Sequence, residues 1–162
     1  MIEIHPSAKV SPLADLEPSR RGSRIVIGAE CVIDSFVKIK PTGGLGNVVI
    51  GEHCYINSGC VIYSGNGVKI GDNVLIASNC TLAPVNHQFR DCRLLIREQG
   101  FGPGKGGILI ENDVWIGANC VLLDGSVLRE GCVVGAGSVV RGELPAYSIC
   151  MGTPAVMIDK RK

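Results

Sequence analysis

The stretch Ile110–Pro145, IENDVWIGANCVLLDGSVLREGCVVGAGSVVRGELP, decides the fold. Read in sixes, it places Ile110, Ile116, Leu122, Leu128, Val134 and Val140 at one recurring position. Four residues after each come Val114, Cys120, Ser126, Cys132, Ser138 and Leu144, mostly small and all uncharged. A period of six is neither the 3.6 of an amphipathic helix nor the simple alternation of a hairpin strand. It is the spacing of a chain that turns a corner every six residues and returns over itself after eighteen. Hexapeptide repeats of this kind signal a parallel β-helix.

The same frame extends backwards through Ile27, Ile33 and Ile39, then Ile50, Ile56 and Ile62, then Ile70, Ile76 and Leu82. A looser first coil starts its sixes at Ile4, Val10 and Leu16, with Ala8 and Ala14 as the small inward residues. Between coils the spacing breaks: after Leu16, Ile39, Ile62 and Leu82, always following the third hexapeptide of a turn. All insertions therefore leave from one corner of the prism, and in repeat proteins the face carrying insertions is often the binding face. The sequence predicts a single all-β domain over residues 1–162, with one long inserted loop at about 83–109 and a short C-terminal tail. Pro145 and Pro154 bracket the point where the tail leaves the prism. Strands stacked ~4.8 Å apart over six to seven turns would build a column about 30 Å tall.

Composition fits this reading. Apolar residues make up 46% but aromatics only 4%, so the core must be aliphatic, and 22 glycines supply corners. The formal charge of +1 gives no electrostatic case for nucleic acid or an anionic membrane. No apolar run approaches a membrane span, and the start MIEIHPSAKV lacks the basic and apolar regions of a signal peptide. The expected location is cytoplasmic. Of eight cysteines, Cys31, Cys54, Cys60, Cys80, Cys120 and Cys132 fall four residues after a start, as does Cys150 counted from Ala146; only Cys92 is out of phase. That phase predicts small buried core residues. Without a CxxC pair a structural zinc site has no support, and no metal is expected.

Three histidines exist, at 5, 53 and 87. His5 lies beside Pro6 and His53 at an outward turn position, whereas His87, in APVNHQF, opens the longest insertion on the loop-bearing corner. Imidazole is the side chain best suited to accept a proton near neutral pH.

Three segments, VVIGEHCYINSGCVI, VKIGDNVLIASNCTLAPVNHQF and the run from ILIENDVWIG to GTPA, together resemble the hexapeptide-repeat acyltransferases. The likeness is to the galactoside and maltose O-acetyltransferase branch and runs from about Ile50 to Ala155. It implies a left-handed β-helix, against the usual right-handed crossover. It also implies acetyl-CoA as co-substrate and a homotrimer with active sites between columns. By the same resemblance His87 matches the catalytic base, Asn57 an acceptor-contacting asparagine, and Trp115 the tryptophan beside the pantetheine arm and acceptor. Asn86 would shape the same pocket. Gly117, Ala118, Gly135 and Ala136 match the small residues along which the CoA arm runs. Arg141 matches a phosphate-binding cation; where a second is expected the chain has Val156 and Met157, leaving Lys160 or Arg161 of the tail for that role. The branch carries an N-terminal helical segment where this chain starts on hexapeptides, and YSGNGVK replaces an acidic sugar-contacting turn. The inserted loop carries Arg90, Arg93, Arg97 and Lys105 over the expected site. Arg93 and Arg97 in particular would suit a phosphate-bearing or acidic sugar.

The function so implied is an acetyl-CoA-dependent O-acetyltransferase acting on a sugar hydroxyl, in the setting of surface polysaccharide (O-antigen or capsule) assembly, with His87 as general base. The rivals on the same scaffold are N-acetyl transfer to an amino sugar or nucleotide-sugar and acetylation of an antibiotic hydroxyl. A zinc hydratase of this fold needs three histidine ligands, which 5, 53 and 87 do not match in spacing. A non-enzymatic scaffold would have no reason to keep Asn86-His87 together with Trp115.

Overall fold

The residues that start each hexapeptide stack directly above one another. In the computed structural model, which describes residues 1–162, three parallel sheets form the faces of a prism. The first face contains the strands Ile2–Ile4, Ile25–Ile27, Val48–Ile50, Val68–Ile70, Ile108–Ile110, Ser126–Leu128 and Glu143–Leu144. On the second lie Lys9–Val10, Val32–Ile33, Tyr55–Ile56, Leu75–Ile76, Trp115–Ile116, Val133–Val134 and Ser148–Gly152, followed by Ala155–Lys160. Asp15–Leu16, Lys38–Lys40, Val61–Tyr63, Thr81–Ala83, Val121–Leu123 and Val139–Val140 make the third. The architecture is the expected left-handed parallel β-helix.

Register follows the period. Ile27, Ile50, Ile70, Ile110, Leu128 and Leu144 are successive partners on the first face. Ile33, Ile56, Ile76, Ile116, Val134 and Cys150 are partners on the second. These ladders and their counterpart on the third face fill one apolar column, which runs unbroken from Ile25 to Ala155. A one-residue slip would turn a whole ladder outward, so the register is strongly specified.

Seven cysteines lie in this column and Cys92 alone is exposed, as the phase predicts. The structure adds why thiols suit these positions. Cys54 Sγ donates to Gly71 O at 3.0 Å, Cys80 to Gly117 O at 3.2 Å and Cys120 to Gly135 O at 3.2 Å, each a carbonyl of the next coil. A thiol is small and apolar enough for the core, yet laces one coil to the next through a weak hydrogen bond. Burial pushes Cys132 up to about 11, so it is a poor nucleophile as well as an inaccessible one. Under native conditions iodoacetamide should therefore modify one thiol, Cys92, and all eight after unfolding; mass spectrometry of the intact chain counts the adducts.

The long insertion spans 84–107, within the expected bounds of about 83–109, because Ala83 pairs with Leu123 and Ile108 with Val68. The tail does leave the prism after Gly152, but it folds back as an antiparallel strand on Ser148–Gly152, extending the second face.

Candidate functional site

The corner between the third and first faces carries the insertion, and the coil above it holds the insertion in place. Asp124 is 5% exposed, and its carboxylate accepts three hydrogen bonds. They come from Lys105 N at 2.7 Å, Gly107 N at 2.9 Å and Asn66 Nδ2 at 3.0 Å. An ionised acceptor taking two backbone N–H groups is a strong anchor. The returning limb also passes so close to Asn66 that a Cβ at Gly104 would lie 2.8 Å from its side chain. A side chain at position 104 would have to push the Asn66 amide away from Asp124. Asp124, Asn66 and Phe101 were not singled out by the sequence reading. The signal that could have found Asp124 is a carboxylate at an uninserted turn, directly above the long insertion, of a corner that elsewhere carries loops.

From this anchor the returning limb runs antiparallel to the limb that carries His87. Gly102 N donates to Asn86 O at 2.8 Å and Gln88 N to Gly100 O at 2.9 Å, with His87 and Phe101 directly opposite. The His87 and Phe101 rings lie 4.7 Å apart at centroid with a 36° tilt. His87 is thus fixed through its backbone and one ring face, while the imidazole stays exposed to solvent. Between the limbs lies an open cleft of about 380 Å³, whose lining includes Asn86, His87, Phe89, Arg90, Gly102 and Lys105. A larger hollow of about 560 Å³ lies at Ile2, Glu3, Ile4 and His5, but His5 there is tied to Ser7. The loop cleft is where a free imidazole meets amides and cations.

The other expected site residues are dispersed over the column. Arg93 does not line the cleft; it is bidentate to Asp91, with Nε to Oδ1 at 2.9 Å and Nη2 to Oδ2 at 2.8 Å. That contact also holds the Asp91 carboxyl below its usual range. Arg97 lies on a four-residue helix, Ile96–Gln99, and also stays outside the cleft. Arg90 and Lys105 occupy the positions expected for those two. Trp115 points outward from the second face in line with Tyr55, Leu75 and Val133. At 53% exposed it is no core residue. Asn57 ends a strand of the same face and donates from Nδ2 to Ile76 O at 3.0 Å, leaving its carbonyl oxygen for other use.

Gly117, Ala118, Gly135 and Ala136 line up at the corner between the second and third faces. The amides of Gly117 and Gly135 are committed to Val134 O and Cys150 O, so the donors left over there are Ala118 N and Ala136 N. A Cβ at Gly117 would sit 2.6 Å from Ala136 N, so the glycine is required by coil packing alone. Arg141 borders a hollow with Leu123, Val139, Thr153 and Pro154. Arg161 is not near it: Nη1 binds Asp113 Oδ2 at 2.8 Å and Gly131 O at 3.0 Å, at the corner between the first and second faces. Lys160 lies opposite Ser148 in the terminal hairpin. Within one column, then, His87 and Asn86 are together, whereas Trp115, Asn57 and the small-residue corner belong to other faces. No group of three His, Cys, Asp or Glu side chains converges in a way that could hold a metal, and no helix is long and apolar enough to cross a membrane.

Comparison with known proteins agrees with this fold. Residues 107–142 match the family model described as bacterial transferase hexapeptide (six repeats), and residues 47–84 match the hexapeptide repeat of succinyl-transferase. Galactoside O-acetyltransferase of Escherichia coli is 35% identical over 122 residues, which is 69% of this chain and 53% of that protein. The chain spans about half the length of this relative and others like it. Among solved structures, a variant of AntD, an N-acyltransferase from Bacillus cereus in complex with dTDP and coenzyme A, superimposes with a TM-score of 0.82 at 23% identity. The match covers 99% of this chain and 84% of AntD, and shows a common fold. The hexapeptide-repeat acetyltransferase VCA0836 from Vibrio cholerae, complexed with acetyl coenzyme A, matches at 26% identity with a TM-score of 0.66. That match covers 99% of this chain and 71% of VCA0836.

Proposed function

We propose that this chain, which belongs to the hexapeptide-repeat transferase family, acts over residues 1–162 as a single acyltransferase domain that moves an acetyl group from acetyl-CoA to a sugar hydroxyl. The setting is surface polysaccharide assembly in the cytoplasm. The observation that carries the reading is His87, an imidazole held by backbone and ring contacts in an open cleft, with no hydrogen bond inside the chain occupying its nitrogens. A base in that state can take a proton from an acceptor.

The reaction then proceeds by direct attack. His87 removes the proton from the acceptor hydroxyl as the oxygen bonds to the thioester carbonyl carbon. The tetrahedral intermediate expels the CoA thiolate, breaking the carbon–sulfur bond, and the imidazolium returns its proton to that sulfur. The products are the O-acetyl sugar and free CoA. Holding the acceptor and acetyl-CoA in line contributes alongside proton transfer. The pantetheine arm is read by the two uncommitted amides, Ala118 N and Ala136 N, beside Gly117 and Gly135. Trp115 supplies an apolar wall, and Asn57 and Asn86 supply amide groups for the acceptor. Arg141 binds a CoA phosphate, with Lys160 and Arg161 of the tail as the weaker candidates, since Arg161 is already engaged by Asp113.

Because one column keeps His87 apart from Trp115 and the small-residue corner, the reading requires sites between columns, as a homotrimer provides. Mixing two inactive variants tests this. His87→Ala and Trp115→Glu should each abolish most activity, and both substitute exposed residues that the prism does not need. Co-refolded at equal amounts, they should recover about a quarter of wild-type activity, since about one in four intersubunit sites then pairs an intact His87 with an intact Trp115. No recovery, or a stable active monomer by light scattering, sinks the composite site. A panel of neutral sugars, amino sugars and chloramphenicol with labelled acetyl-CoA separates O-acetyl from N-acetyl transfer and both from antibiotic modification.

A further inference from the structure

The charge inside the cleft is one-sided. Of the side chains that line it, Arg90 and Lys105 are ionised cations and none is acidic. The nearby acids are otherwise placed: Asp91 is held by Arg93, Asp124 is filled by three N–H donors, and Glu98 sits on the short helix outside the cleft. Neither Arg90 nor Lys105 makes an ion pair. Both are held by other contacts instead. The Arg90 guanidinium sits 5.8 Å from the centre of the Phe89 ring, and Lys105 is fixed by its backbone bond to Asp124, with its stem against Gly125. The two come from opposite limbs of the loop and line the cleft together with His87, whereas Arg93, bidentate to Asp91, is neutralised outside it.

We infer that the acceptor carries an anionic group, a phosphate or a carboxylate, which Arg90 and Lys105 bind from the two limbs beside His87. The inference rests on the acetyl-transfer reading and narrows its substrate class. An anion held there fixes one end of the sugar and presents a hydroxyl several ångströms away to the imidazole, so its binding energy is used for orientation. Arginine meets such a group through paired N–H donors and lysine as a point charge.

The test has two arms. In the first, inorganic phosphate is titrated into the intact protein while the His87 ring resonances are followed by NMR. Saturable perturbation is expected, weakened about tenfold or more by Arg90→Gln plus Lys105→Gln and by raised salt. No saturation, or saturation that the double substitution leaves untouched, overturns the proposal. The second arm compares galactose 1-phosphate, galacturonic acid and methyl galactoside as acceptors. The anionic-to-neutral ratio of kcat/KM should exceed tenfold and fall towards one in the double variant, mainly through KM; the phosphate and the acid together show which anion is preferred. Acetylation of the neutral sugar as fast as the others defeats the anion proposal and leaves acetyl transfer standing. Failure to acetylate any acceptor in this and the wider panel, with no binding of CoA, removes both.

Discussion

With His87 as the proposed base, replacing it by Ala should lower kcat by about 10²–10⁴-fold while the affinity for CoA stays within about twofold, because a positioned base contributes that much to the rate and nothing to holding the thioester. The split between the two readouts is what makes the result informative. His87 is exposed and contributes neither a core contact nor a side-chain hydrogen bond, so its removal costs the prism little and leaves Tm within a few degrees. Activity is measured by release of free CoA thiol, and binding by calorimetry on the same preparation. Equal loss of turnover and CoA affinity would mean that the histidine supports the loop. Full turnover in the variant would remove it from the chemistry altogether. His87→Gln gives an intermediate check: an amide can still hydrogen-bond an acceptor hydroxyl but cannot carry its proton away, so it should remain nearly as slow as the alanine variant.

How far the sequence reached depends on whether a residue lies on the period. Ile50, Ile70 and Ile110 are placed by arithmetic alone, because each inward position is repeated and every repeat reports on the others. The same arithmetic buries Cys80 and Cys120 and exposes Cys92. It also places the insertions on one corner, which is why His87 could be singled out from three histidines. Inside the insertion the period stops, and nothing local says which of four cations faces the cleft. Arg93 lies two residues from Asp91, a spacing that lets its guanidinium fold back on that carboxylate, and it does. Arg90 adjoins the same Asp91 but does not pair with it, Lys105 has no acid nearby in sequence, and both remain in the cleft. Arg161 is a second case, since sequence cannot show that the tail folds back as a hairpin and brings Asp113 within 2.8 Å of its guanidinium. Contacts between residues far apart in a loop-rich region carry no periodic trace.

Asp124→Ala should reduce kcat by about tenfold or more with a small change in Tm, since it loosens the loop and not the column. The carboxylate is buried and holds Lys105 N, Gly107 N and Asn66 Nδ2, three donors that no other group in the chain is placed to satisfy. Gly107 N is buried and the other two donors are part-buried; an unpaired buried donor costs about 1–3 kcal/mol and water recovers most of the cost at the other two, so about 2 kcal/mol is a reasonable scale for the anchored end. A two-state loop whose closed form loses that much is open roughly ten to a hundred times more of the time. When it opens, Phe101 leaves the His87 ring and Lys105 leaves the cleft, so both the proposed base and one of the proposed acceptor-binding cations are misplaced. Hydrogen exchange at Lys105 and Gly107 should rise sharply, whereas exchange in the strands Val68–Ile70 and Val121–Leu123 should change little. Asp124→Asn preserves shape but turns one accepting edge into a donor, and rotation of the Asn66 amide can restore one of the lost bonds. Its effect should therefore fall between wild type and Asp124→Ala in both exchange and kcat. If exchange rises at Lys105 and Gly107 while kcat is unaffected, the anchor is structural only, and His87 is held in place by the Asn86–Gly102 and Gln88–Gly100 hydrogen bonds alone.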